Sequence, residues 1–135
     1  MYRAAVILLV LGLLAAAALA SADGSPAASP SFRATLTAPN HHPKADRPWP
    51  PTFTATYKGR PVRAHLQYEF LYGGRVVSRQ SPGPLQRSGY RFTGSFTDHE
   101  FVWPARAAGV RLTLRAVISS RYGTRRPTWW VVVRR

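Results

Sequence analysis

Apolar residues recur at every second position along most of the chain beyond residue 31. The clearest run is RAHLQYEFLY, residues 63–72, where small, aliphatic or aromatic residues alternate with arginine, histidine, glutamine and glutamate. Successive side chains of a β-strand point to opposite faces, so this period predicts strands with one apolar and one polar face. None of these runs shows the 3.6-residue period of a helix.

Seven runs of this kind follow one another, separated by glycine- and proline-containing turns. Gly73 and Gly74 predict a tight hairpin, because both turn positions then tolerate positive φ. The count and spacing predict an all-β fold, an immunoglobulin-like antiparallel β-sandwich of about seven strands, with a small barrel as the alternative. The predicted strands cover residues 32–38, 52–57, 63–72, 75–80, 90–101, 109–119 and 128–135.

The amino-terminal segment has the layout of a secretory signal peptide. Arg3 precedes an apolar run over residues 4–20, and Ala18-Leu19-Ala20 fits the small-residue cleavage pattern. We therefore predict a signal peptide over 1–20, a flexible Ser/Ala/Pro linker over 21–30 and one domain over 31–135. The alternative is an uncleaved membrane-anchoring helix, although this run is shorter than the ~20 residues that span a bilayer. Either way the domain is expected to be secreted or extracytoplasmic.

The composition excludes several kinds of site and indicates the charge of a partner. The chain has no cysteine, which excludes disulfides, zinc–thiolate sites and thiol nucleophiles. It carries 19 basic and 5 acidic residues, a net charge of +14. Such a basic protein attracts polyanions. We expect an anionic cell-envelope polymer, or a membrane or protein partner, rather than a specific nucleic acid, because most aromatic residues fall on the apolar strand faces.

A short motif adds a resemblance. Gly59-Arg60-Pro61-Val62 joins two alternating strands, the second of which ends in glycine, and a later strand pair ends in a valine run. This order resembles bacterial immunoglobulin-like domains of exported, actinobacterial-type proteins over roughly residues 31–135. The resemblance implies an exported binding or structural module rather than an enzyme, and it implies no ligand.

The stretch APNHHPKADRPWPPTF, residues 38–53, allows two interpretations. His41 and His42, joined by His99 from another loop, are candidate ligands for copper or zinc, which would make the protein a metal-binding or carrier protein. Alternatively, its five prolines make it a stiff connection between strands, with Trp49 packed over the open end of the sandwich. We favour the connection and expect no cofactor.

Asp98 and Glu100 offer a different chemistry. On an extended strand they share a face, about 6–7 Å apart, a spacing that overlaps the carboxylate pairs of glycosidases. A small glycan-acting hydrolase is therefore an alternative function. We favour a strand end that becomes a turn, in which the acids pair with nearby arginines, because nothing else in the sequence builds a sugar cleft. No Gly-x-Ser-x-Gly or phosphate-loop pattern occurs either, and we expect a protein that is not an enzyme.

The remaining candidates are basic and aromatic residues on the last strands and in the turn RYGTRRP between them. Trp129 and Trp130 are adjacent, so only one of them can face the core of a strand pair. An exposed indole beside arginines can stack on a sugar or a base. The predicted binding residues are Arg111, Arg115, Arg125, Arg126 and Trp130.

Overall fold

The structure, a computed structural model, describes residues 30–83 and 89–135. The predicted signal peptide and residues 21–29 of the predicted linker lie outside the described residues. The described chain is all-β, with a single 3-10 turn at Ala105–Ala107. Its strands are β1 (Phe32–Thr37), β2 (Thr52–Tyr57), β3 (Arg60–Pro61), β4 (Arg63–Tyr72), β5 (Arg75–Gln80), β6 (Tyr90–Thr93), β7 (Ser95–Thr97), β8 (Arg111–Ser120), β9 (Gly123–Arg125) and β10 (Thr128–Val132).

Each of the seven predicted runs contains strand, so the all-β prediction is confirmed. The strands number ten in the described residues rather than about seven. The fifth run, residues 90–101, is divided at Gly94 into β6 and β7, and the last four residues of that run leave the strand. The other two additions, β3 and β9, are only two and three residues long, too short for a period-two pattern to reveal.

The strands form two antiparallel sheets that pack together as a sandwich. In the four-stranded sheet, β2 is central, with β1 on one side and β3 and β7 on the other. The six-stranded sheet has the order β10-β8-β4-β5, with β6 also pairing β4 and β9 also pairing β8. The predicted hairpin at Gly73-Gly74 is confirmed, with φ values of 57° and 82° at the two glycines.

One stretch of chain belongs to both sheets. β6 pairs with β4 in the larger sheet up to Thr93, and two residues later, from Ser95, β7 pairs with β2 in the smaller one. Gly94 lies between β6 and β7 with a φ of 79°. Its N–H donates to the Val62 carbonyl at 3.1 Å, and its carbonyl accepts from the Ala55 N–H at 2.9 Å. This change of sheet fixes how the two layers meet at one corner.

The space between the sheets is filled by the side chains of the predicted apolar faces. Phe53, Leu66, Leu114 and Ile118 are fully buried there. Tyr72, the last residue of the clearest alternating run, is 59% exposed because it adjoins the hairpin turn at the end of the sheet, so its predicted place in the core is wrong. Such burial of large side chains supplies most of the favourable free energy of folding.

The loop of residues 38–51 connects β1 to β2, as we favoured from its prolines. It also runs along the open edge of β10: the N–H groups of Val132 and Arg134 donate to the carbonyls of His41 and Pro43, both at 2.8 Å. Trp49 is 2% exposed and lies edge-on to Trp103. The loop therefore covers a strand edge that would otherwise present unpaired backbone groups.

No helix long and apolar enough to cross a membrane occurs within residues 30–83 and 89–135.

Candidate functional site

His41 lies in an aromatic stack at the edge of β10. Its ring is nearly parallel to Trp129, with centroids 4.4 Å apart, and to Trp130, with centroids 4.0 Å apart. Its Nδ1 lies 2.6 Å from the Trp130 carbonyl oxygen. A carbonyl only accepts, so Nδ1 carries the proton. Arg111 completes the stack, with its guanidinium carbon 4.6 Å from the centre of the Trp130 ring.

The histidines proposed as metal ligands do not come together. Within the part of the chain that the structure describes, no three His, Asp or Glu side chains are grouped so that they could hold a metal ion. His41 is engaged with the two tryptophans, whereas His42 touches only the edge of Trp130, with ring centroids 5.8 Å apart. His99 is an exposed residue of the turn after β7. The geometry gives His41 a structural part in joining the loop to β10.

The neighbouring histidines therefore predict different effects on stability. We expect His41→Ala to lower the free energy of unfolding by about 1.5–3 kcal/mol, because it removes two ring contacts and a hydrogen bond. His42→Ala, the matched control, should cost less than about 0.7 kcal/mol, since this side chain is exposed. Urea denaturation of the two variants measures both values, and equal losses would contradict the structural part assigned to His41.

The outer face of the six-stranded sheet gathers arginines from four strands. The inward side chains of β4 and β8 lie at even positions, so odd positions point to solvent, and cross-strand partners share a face. Here we call this surface the basic face; Trp130 lies beside it on β10, opposite Thr113. Its arginines are Arg63, Arg79, Arg91, Arg111 and Arg115.

Glu69 is the acidic residue on this face, and two arginines cover it. Arg115 lies 2.8 Å from its Oε1 and Arg79 lies 3.1 Å from its Oε2, which leaves Glu69 only 8% exposed. Burial by itself would raise the pKa of Glu69, but the hydrogen bonds and charges of Arg115 and Arg79 outweigh it and hold the pKa below its ordinary value. Glu69 thus stays ionised and fixes these two guanidinium groups across three strands.

A shallow depression of about 430 Å³ lies toward the other end of the basic face. Cross-strand pairing places Arg91 and Ser119 on either side of His65, with Arg63 two positions along β4. Arg121 follows β8 at the rim. The depression is lined by Arg63, Ala64, His65, Arg91, Ser119, Ser120 and Arg121. The three guanidinium groups are the donors that a phosphate or carboxylate group requires. The Ser120 hydroxyl is not one of them, because it donates to the Gly123 carbonyl at 3.5 Å.

Some of the predicted binding residues lie on the basic face, and others lie elsewhere on the domain. Arg111 and Arg115 lie on the basic face, the first stacked on Trp130 and the second bound to Glu69. Arg125 Nε donates to the Phe32 carbonyl at 3.2 Å and so links the two sheets. Arg126 is exposed in the turn before β10. Sequence reasoning missed Arg91 and Arg121, whose proximity to Arg63 depends on strand pairing.

A deeper cleft of about 610 Å³ opens beside β5, on the inward side of the larger sheet, and we call it the β5 cleft. Its walls are Phe70 of β4, Ser78 and Gln80 of β5, Leu112 of β8, and the segment 98–107 that precedes β8. Asp98 and Glu100, the proposed carboxylate pair, both line it. The cleft lies at the side of the molecule, and the centre of the sandwich remains filled.

The two carboxylates stand on a turn rather than on an extended strand. Asp98 Oδ1 accepts the backbone N–H of Glu100 at 3.1 Å, an Asx turn, and Asp98 Oδ2 accepts the Tyr68 hydroxyl at 2.7 Å. Burial, together with the charge and hydrogen bond of Asp98, raises the pKa of Tyr68 far above its ordinary value, so its hydroxyl stays a donor. The expected pairing of these acids with arginines is replaced, for Asp98, by this tyrosine.

Comparison with protein-family models, with curated proteins and with solved structures gives no match.

Proposed function

We propose that this protein is an exported, non-catalytic binding module that attaches to anionic polymers of the cell envelope through its basic face. The observation that carries the proposal is the depression of about 430 Å³ lined by Arg63, Arg91 and Arg121 together with two serines. The proposed export depends on the predicted signal peptide, residues 1–20, or on its alternative as a membrane anchor.

The arrangement of strands supports an immunoglobulin-like assignment within the sandwich. Four strands in the order β10-β8-β4-β5 oppose a sheet built from β1, β2 and β7, and the chain changes sheet between β6 and β7. Immunoglobulin-like domains have strands distributed between two sheets in this manner. Domains of this architecture commonly present a sheet face or a loop end to a partner, in keeping with a binding module.

Electrostatics favour an anionic polymer over a small anion. The chain carries a net charge of +14, and its basic residues extend over several strands of one face. A polymer with repeating phosphate or carboxylate groups engages the depression and the rest of the face at once, which multiplies weak individual contacts. Guanidinium groups also bind such oxyanions through two parallel hydrogen bonds, as lysine cannot.

The test is binding to inorganic polyphosphate at about 50 mM salt. We expect the triple variant Arg63→Gln/Arg91→Gln/Arg121→Gln to bind about 10- to 100-fold more weakly, because three exposed charges contribute about 0.5–1 kcal/mol each. We also expect a shallower dependence of its affinity on salt, since fewer charges are screened.

The matched control removes the same charge elsewhere. Arg33, Arg47 and Arg60 are exposed and lie outside the basic face. The variant Arg33→Gln/Arg47→Gln/Arg60→Gln should bind polyphosphate within about threefold of the wild type. Equal losses in both triple variants would mean that net charge alone governs binding, and the basic face would then have no special part.

A further inference from the structure

The β5 cleft has the size and lining of a ligand site that is separate from the basic face. Its volume of about 610 Å³ falls within the range of small-molecule sites, about 300–1,000 Å³. Phe70, Phe101 and Trp103 form an aromatic wall, in which the ring centroids are 5.3–6.1 Å apart. Leu112 and Val110 continue that wall. An apolar ring or chain of a ligand would lose contact with water on these surfaces.

The charge of the cleft is opposite to that of the protein. Two of the five acidic residues of the chain, Asp98 and Glu100, line it, with Arg106 as the basic residue among them. Each oxygen of Asp98 already accepts one hydrogen bond, which fixes the carboxylate and leaves a lone pair on each oxygen for a further donor. Glu100 is exposed and reachable. A cationic donor is the complementary group.

Two residues of the lining carry buried polar atoms. Trp103, 1% exposed, and Ser81, 4% exposed, both line the cleft. Among the described residues neither the Trp103 Nε1 nor the Ser81 Oγ has a hydrogen-bond partner. Both atoms are almost completely shielded from solvent, so they lie behind the surface of the cleft, where a ligand that fills it does not contact them. The contacts that the cleft offers a ligand are therefore its aromatic wall and its carboxylates.

We infer that the β5 cleft binds a primary amine that is joined to an apolar body. The ammonium group meets Asp98 and Glu100, and the apolar body lies on the aromatic wall. The α-amino end of an apolar peptide carries both groups close together. Phenylalaninamide is therefore the probe, used at about pH 6, below the pKa of about 7.7–8.0 of an α-amino group.

The experiment follows the indole N–H signals of the four tryptophans by NMR during titration with phenylalaninamide. We expect saturable binding that shifts the Trp103 signal, which Trp103→Phe identifies by its disappearance. Glu100→Gln should weaken binding about 3- to 10-fold, because it removes one charge contact. Asp46→Asn is the matched control, since Asp46 is an exposed acid outside the cleft, and it should change the affinity by less than twofold.

N-acetyl-phenylalaninamide, which lacks the charge, and hydrocinnamate, which reverses it, should not bind. Equal binding of the acetylated compound, an unchanged affinity in Glu100→Gln, or no saturable shift would overturn the inference. The variant Arg63→Gln/Arg91→Gln/Arg121→Gln should bind phenylalaninamide as the wild type does. A failure of the protein to bind phenylalaninamide therefore leaves the proposed function standing.

Discussion

Phe53→Ala is expected to lower the free energy of unfolding by about 3–5 kcal/mol, the usual cost of emptying a buried phenylalanine site. Phe53 is fully buried on β2, pairs with Leu36 on one side and Phe96 on the other, and packs against Tyr68 across the sandwich at 5.5 Å between ring centroids. A domain of this size has a total stability of about 5–15 kcal/mol. The variant should therefore lose a large fraction of the total stability.

Val77→Ala provides the control for this loss. Val77 is also an apolar strand residue, but it is 59% exposed on β5. Its truncation should cost less than about 0.7 kcal/mol. Circular dichroism during urea denaturation compares both variants with the wild type, and a loss of under about 1.5 kcal/mol for Phe53→Ala would show that β2 does not form the centre of the core.

Gly94→Ala is the second large effect that we expect, a loss of about 2–4 kcal/mol. The φ of 79° at Gly94 belongs to the left-handed region, which costs an alanine about 1–2 kcal/mol. A Cβ there would also lie 2.9 Å from the Cβ of Pro61, whose ring has little freedom to move. The clash falls where the chain passes from one sheet to the other, so relief would require the sheets to shift.

Gly59→Ala separates the two causes. Gly59 has nearly the same φ, 78°, but a Cβ there would meet nothing within 4 Å. It should cost only the conformational term, about 1–2 kcal/mol. The difference between the two variants, measured by thermal and urea denaturation, gives the cost of the contact with Pro61. If both variants lose the same stability, the contact of the new Cβ at position 94 with Pro61 is relieved at no cost, which contradicts the close packing expected there.

Local pattern was sufficient for the strands and for much of the core. The side-chain alternation of β1, β2, β8, β10 and, except at Tyr72, β4 correctly separated inward from outward residues, and Gly73-Gly74 was correctly assigned as a hairpin. Only one of the two adjacent tryptophans was expected to face the core, and Trp129 packs against it. The prediction for Tyr72 is wrong because β4 continues beyond the sheet that packs against it. The local sequence pattern does not show where that sheet ends.

The candidate sites were only partly accessible from the sequence, because each depends on residues far apart in the chain. His41 was a candidate metal ligand because its stacking with Trp129 and Trp130 was not visible in the sequence. These tryptophans lie 88 and 89 positions away and reach His41 only through the pairing of the loop with β10. Arg91 and Arg121 join Arg63 because β4 pairs with both β6 and β8. Asp98 and Glu100 were noticed as a pair, but the tyrosine, serine and tryptophan around them were not.

The sequence by itself determined that the domain is built from strands with one buried face, because period two makes one face of each strand apolar. It favoured an antiparallel sandwich and left a small barrel as the alternative. It also determined the excess of positive charge and the absence of thiol chemistry. Only the tertiary structure decided which arginines share a face, which histidine is held between tryptophans and where a cleft remains beside β5. Those outcomes follow from strand order and register, which bring together side chains that no local spacing relates.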